Sequence, residues 1–183
     1  MKDASRVAAG TYRADPEHTL VEWSVSHFGF NPYYGLFGEA EGTLVIDPAD
    51  ISATRLDVTV PVTSLAVVSE QLREHMLRPG TDGAEPDFFG PSPEPARFVT
   101  TEVRRIASDR ALAIGNLTLN GVTNEIAMTI TFTGAGTNPM NQAETIGFTG
   151  EAAIMRSDFG MPFAVPLISD EVELQITAAF ERQ

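Results

Sequence analysis

Strand parity turns two polar side chains of this chain inward, His27 and Arg156. Between Thr19 and His27, the residues Thr19, Val21, Trp23, Val25 and His27 share one face of an extended strand, and Glu22, Ser24 and Ser26 share the other. An imidazole on the apolar face has two readings. It contacts a ligand head group or moves a proton, or it is a core histidine satisfied by backbone or buried water. Ile146, Phe148, Gly150, Ala152, Ile154 and Arg156 repeat the pattern later in the chain. A buried guanidinium must be paired or hydrogen-bonded, because an unpaired buried charge is strongly destabilising. Arg156 either pairs with a carboxylate such as Asp158 or Asp170, or offers its forked donors to an anionic or carbonyl-bearing ligand. A ligand role predicts that removing it weakens a ligand with an anionic head more than its neutral counterpart. A scaffold role predicts equal losses.

Other chemistries find little support. There are no cysteines, so disulfides, thiolate nucleophiles and Cys-based metal sites are excluded. A metal site would need His18 and His75 to join His27, and neither spacing suggests a ligand pair. No Gly-rich phosphate loop, nucleophile elbow or Ser-His-Asp order occurs. The acidic residues fall on outward parities or in turns.

These side chains have to be positioned by strands. Asn31-Pro32 and Gly35 are expected to turn a long hairpin with an aromatic tip, after which Leu36, Gly38, Ala40, Gly42, Leu44 and Ile46 begin a second inward face. Leu56, Val58, Val60 and Val62 alternate next, with Pro61 marking an edge or an end. Leu65, Val68, Leu72 and Met76 then change the period and predict one amphipathic helix over about 64–78. From Arg78 to Pro95, five prolines and three glycines in 18 residues make a long rim loop around Asp87-Phe88-Phe89, read as a lid or docking cover. Leu112 and Ile114 against Leu117 and Leu119 suggest a bulge near Gly115 or burial on both faces. Ile126 to Phe132, Ile146 to Arg156 and Val172 to Phe180 alternate cleanly.

The sum is all-β: about eight long antiparallel strands with no βαβ spacing. Strands of this kind stack as a sandwich or close into a barrel. Their length argues for closure, and glycines at 38, 42 and 150 leave room inside. The expectation is an elongated eight-stranded antiparallel barrel with a cavity, formed by residues 11–183 behind a disordered tail at 1–10. Trp23, Phe28, Phe30, Tyr33, Tyr34, Phe37, Phe88, Phe89 and Phe98 pack its core and rim, and their concentration at the hairpin tip and Pro-rich loop favours an apolar mouth there.

Composition narrows the partners. Twelve basic residues, all but Lys2 arginines, against 25 acidic ones leave a net charge of -13 in 183 residues. Such a surface repels phosphate backbones and anionic lipid headgroups, so nucleic acid is a poor partner. No stretch approaches ~18 consecutive apolar residues, so nothing reads as membrane-spanning. The first ten residues hold no apolar run of signal length. The chain reads as cytoplasmic as it stands, and as periplasmic or secreted if an export signal has been removed.

Motifs along nearly the whole chain are similar to those of the YceI-like family of lipocalin-like, polyisoprenoid-binding proteins. They are Tyr12-x-x-Asp15-x-x-His18-Thr19, Trp23-x-Val25-x-His27-x-Gly29, Gly35-x-Phe37, Gly42, Asp87-Phe88-Phe89, Phe98, the run Gly115 to Thr123, Arg156-Ser157-Asp158-Phe159-Gly160-Met161, and Asp170-Glu171-Val172. The segment between His75 and Asp87 is longer and richer in Pro and Gly than the family pattern. The resemblance implies a lipocalin-like barrel that binds, stores or transports an isoprenoid, quinone-like or polyprenyl-phosphate-like lipid without catalysis. It implies no other cofactor. The alternative is an enzyme acting on a small apolar or isoprenoid substrate with His27 as acid or base. The candidate contacts are Trp23, Tyr33, Tyr34, Phe37, Phe88, Phe98, Leu117, Phe148 and Phe159, together with His27 and Arg156. His27, Arg156 or a rim tyrosine would fix one end of the lipid. The Phe-rich loop is also compatible with a homodimer.

Overall fold

A ladder of antiparallel strands closes on itself in the computed structural model, which describes residues 3–183. The strands are β1 (Gly10–Ala14), β2 (Leu20–His27), β3 (Asn31–Phe37), β4 (Glu41–Ile46), β5 (Arg55–Val60), β6 (Ala96–Arg105), β7 (Arg110–Leu119), β8 (Val122–Thr137), β9 (Glu144–Met155) and β10 (Glu171–Arg182). The order β1-β4-β5-β6-β7-β8-β9-β10 is completed by pairing of β10 with β1, giving an eight-strand barrel. Asp15-Pro16 interrupts what is otherwise one stave. β1 lies along residues 180–182 of β10, and β2 continues along residues 173–177. β3 pairs with β2 and ends the sheet on that side. Pro32 is tolerated there because an edge strand does not need every amide donor.

The two ends of the barrel are filled differently. At one end Tyr12, Leu44, Ile46, Phe132, Ile146 and Phe180 form a packed cluster. The other end is plugged by the helix α1 (Glu70–Met76), by Phe88 and Phe89, and by the segment after β9. There Trp23 packs with Leu65 and Met76, while Ile154, Phe159 and Met161 form a neighbouring cluster. His75 Nε2 bonds Asp87 at 2.8 Å, Arg78 adds a contact at 3.3 Å, and Phe89 N–H donates to the Met76 carbonyl at 3.0 Å. These bonds tie the Pro-rich loop to the helix.

Several local readings change. The helix is one short segment, capped by Ser69, whose side chain accepts from Leu72 N–H. Residues 64–69 are extended or turned because Ala66 exchanges both backbone bonds with Leu36. Val68, placed on the apolar stripe by spacing, is fully exposed. The hairpin turns at Phe28-Gly29 with both residues at positive φ, and not at Asn31-Pro32 or Gly35. Phe37 is the inward residue and Leu36 is 39% exposed, because Glu39 at φ 56° shifts the parity between β3 and β4. The irregularity expected near Gly115 lies across the ladder, between Thr100 and Glu102 of β6. β7 keeps strict alternation, and Leu112 and Ile114 are simply apolar residues on the outward parity. Of the segment expected as a tail, residues 4–6 make a 3-10 turn, Val7 packs on the core, and the Ala8 carbonyl accepts the Tyr12 hydroxyl at 2.8 Å. Residues 1 and 2 of that expected tail lie outside the described residues.

Candidate functional site: an apolar cavity inside the barrel

Beyond the plug the barrel keeps a cavity of about 300 Å³, walled almost wholly by apolar side chains, with Leu44, Ile46, Phe132 and Phe180 of the opposite cluster among its lining. Every strand except β1 contributes lining residues. Leu56, Val58 and Val60 come from β5, Ile126 to Phe132 from β8, and Leu174, Ile176 and Ala178 from β10. Gly150 lies on the same wall, where a Cβ would meet Met128 Sδ at 3.0 Å and Ile130 Cδ1 at 3.3 Å. The volume falls at the lower bound of the roughly 300–1,000 Å³ typical of small-molecule sites.

Buried polar groups on the wall are few. Two of its hydroxyls are occupied by backbone. Thr19 Oγ1 donates to the Ala179 carbonyl at 3.3 Å, and Thr100 Oγ1 accepts from Leu56 N–H at 2.9 Å. Apart from Arg97 and Thr149, the exposed lining residues gather at the end away from α1, where Ala4 and the β6–β7 turn (Arg105, Ala107, Ser108, Asp109, Arg110) meet solvent. The cavity therefore reaches solvent opposite the aromatic tip, and the mouth expected at that tip is filled by the plug. The reason is the short helix: α1 turns Leu72 and Met76 onto Trp23 and brings Phe89 against Phe37 at 5.9 Å.

The expected contact residues separate into groups. Phe37, Phe98, Leu117 and Phe148 line the cavity. Trp23, Tyr33, Phe88 and Phe159 are in the plug, where Trp23 lies over Gly35. Tyr34 points outward and is 52% exposed. His27 ends β2 and stacks edge-on against Phe28 at 4.3 Å, outside the cavity wall. His18 and His75 each bond a carboxylate, Asp15 and Asp87 respectively, so the three histidines are not brought together. Among the described residues no group of His, Asp and Glu gathers that could hold a metal ion.

Arg156 is buried beneath the segment after β9. Its Nε donates to the Ser169 carbonyl at 2.9 Å, Nη1 to Met161 at 2.6 Å and Phe163 at 2.8 Å, and Nη2 to Ile168 at 3.0 Å. Four of its five N–H donors thus meet backbone carbonyls. Burial draws its pKa down, and the nearby Asp170 carboxylate opposes that. Asp170 is itself held below the usual carboxylate value, first by the Ser157 hydroxyl at 2.6 Å and then by the Ser157 amide at 2.9 Å. The parity reading placed Arg156 inside the fold, and the chain's own carbonyls hold it there. Sequence reasoning missed Thr54, in a turn with no periodicity, and Arg105, whose parity is masked by the β6 bulge.

An eight-strand antiparallel barrel around an apolar cavity, with one short helix in its plug, defines a lipocalin-like protein. The chain belongs to the YceI-like family, whose domain model matches residues 12–180. It is 33% identical over 183 residues to a UPF0312 protein of Pseudomonas aeruginosa, covering 98% of this chain and 91% of that one. A UPF0312 protein of Pectobacterium atrosepticum is 30% identical over 186 residues, covering 100% and 92%. Among solved structures, Burkholderia cenocepacia BcnA superposes with a TM-score of 0.72 at 18% identity, over 91% of this chain and 98% of that one. A polyisoprenoid binding domain from Saccharophagus degradans superposes at 0.61 with 10% identity, over 96% and 100%. At those identities the two structures show the shared fold. Among the described residues no helix is long and apolar enough to cross a membrane.

Proposed function

We propose that this protein binds an isoprenoid or similar amphiphilic lipid inside the barrel, as a carrier or store without chemistry of its own. The observation that supports this most directly is the cavity itself. A barrel this size could fill its interior with side chains, yet about 300 Å³ remains, lined by aliphatic and aromatic groups. Burying an apolar chain there contributes ~25 cal/mol per Å², so a few isoprene units offset the cost of immobilising the ligand. Family membership and the likeness to the polyisoprenoid binding domain from Saccharophagus degradans point the same way. His27 stacks on Phe28 outside the cavity wall, which favours the carrier reading over the acid–base alternative.

Native mass spectrometry of freshly purified protein tests this reading. A mass adduct that organic solvent extracts and that identifies as a single-chain lipid is the expected result. Protein that carries no lipid and binds none from added farnesol, geranylgeraniol or ubiquinone overturns it.

A further inference from the structure

The barrel wall has one seam where backbone pairing stops early. β5 pairs with β6 only through Asp57–Val60 against Val99–Ala96. Next along the seam, the Thr100 side chain takes the place of the ladder by bonding the Leu56 backbone. β6 then continues to Arg105, and the 3-10 turn Ile51–Ala53 packs against it in place of a strand. Thr54, which follows that turn, lines the cavity at this seam and is 7% exposed.

Among the described residues three buried side-chain polar atoms have no hydrogen-bond partner: Trp23 Nε1, Tyr33 Oη and Thr54 Oγ1. Trp23 and Tyr33 lie in the plug beneath α1, and only Thr54 belongs to the cavity wall. A buried hydroxyl without a partner costs about 1–3 kcal/mol, so a native site that keeps one calls for an explanation. The other buried wall hydroxyls, Thr19 and Thr100, are closed by backbone. Two guanidinium groups, Arg105 and Arg110, and one carboxylate, Asp109, flank the same opening. Arg105 donates to the Ser108 carbonyl at 3.3 Å, which leaves further donors on its fork.

Resting on the lipid-binding reading above, we propose that the ligand enters with its apolar chain leading toward Ile154 and Leu174 and leaves its polar head at the β5–β6 seam. There Thr54 Oγ1 donates to a head-group oxygen, a carbonyl, carboxylate or phosphate, and Arg105 and Arg110 flank it. The aromatic end, where His27 and Arg156 lie, receives the tail side. Three observations converge on this polarity. The cavity opens at this end, its hydroxyl without a partner is at this end, and the Arg156 donors at the other end are taken by carbonyls.

The experiment uses geranylgeranyl phosphate, geranylgeraniol and the headless hydrocarbon phytane with the full chain. A geranylgeranyl phosphate carrying a photoactivatable diazirine beside the phosphate is cross-linked and mapped by mass spectrometry. Cross-links at residues 51–56 or 103–110 are expected, and cross-links at 27–37 or 156–168 overturn the proposal. Thr54→Val, which keeps the shape and removes the hydroxyl, should weaken the two headed probes about 5-fold and phytane less than about 2-fold. Arg105→Gln should weaken the phosphate about 10-fold and the alcohol less. Equal losses for headed and headless probes overturn the assignment while leaving lipid binding standing. Failure of the wild-type chain to bind any of the three overturns the lipid reading and this proposal together.

Discussion

Arg156 Nη1 donates to the Met161 carbonyl at 2.6 Å, and the arginine is 5% exposed. The bond pins the chain five residues beyond the arginine, and its companions to Phe163, Ile168 and Ser169 gather the rest of the segment around one cation. A segment with little regular structure is thereby held as a wall of the plug, with Phe159 and Met161 buried against Ile154.

Arg156→Met should therefore destabilise the fold by about 3 kcal/mol or more, since it strands several buried carbonyl acceptors at once. Arg156→Lys should recover little, because a point ammonium cannot serve four diverging acceptors. Chemical denaturation measures both. In whatever fraction stays folded, affinity for geranylgeranyl phosphate and for geranylgeraniol should fall by the same factor. A selective loss of the phosphate probe would return Arg156 to the ligand.

The second prediction concerns Gly35, on which the chain's single tryptophan rests. A Cβ there would overlap the Trp23 indole, so Gly35→Ala must displace the ring or the strand. The expected cost is about 1–3 kcal/mol, as for other overpacked cores. Trp23 fluorescence reports the displacement without interference from another indole. An unshifted spectrum with unchanged stability would contradict the packing described.

Gly150 separates ligand capacity from stability. Gly150→Leu projects a side chain into the cavity past Met128 and Ile130, both able to shift at their tips. Lipid affinity should drop at least about tenfold, equivalent to roughly 1.4 kcal/mol, while the melting temperature stays within a few degrees. Unfolding of this variant would mean the wall is packed more tightly than the cavity implies.

Acid should loosen the Arg156 segment before the rest of the barrel. Asp170 has its folded pKa lowered by the Ser157 hydroxyl and amide. Its contribution is complete above the unfolded aspartate value of about 3.9 and disappears as pH falls through the lowered folded value. Hydrogen exchange in residues 156–170 should rise over that range, and Ser157→Ala should weaken the pH dependence. An unchanged profile in Ser157→Ala would show that other carboxylates set the acid limit.

The barrel was legible because period-two alternation requires no partner to be visible. Ile126, Met128, Ile130 and Phe132, like Val172 through Phe180, face inward as their spacing predicts. Leu36 and Phe37 show where that rule stops: a single positive φ at Glu39 exchanges their faces, and no composition signal marks it. The helix failed similarly. Leu65, Val68, Leu72 and Met76 have the right spacing, but the Ala66–Leu36 backbone pairing removes the first turns from any helix.

Alternation along the chain determined an all-β fold with one apolar face per strand and placed Arg156 within it, and strand length argued for closure into a barrel. Tertiary structure alone decided which inward residues line the cavity and which plug it. It also decided that the opening lies away from the aromatic tip, and that Arg156 is engaged by carbonyls up to 13 residues away. The physical reason is that parity is a local property of one strand. The height of a residue along a barrel, and the partner of a buried donor, depend on strands and loops remote in sequence.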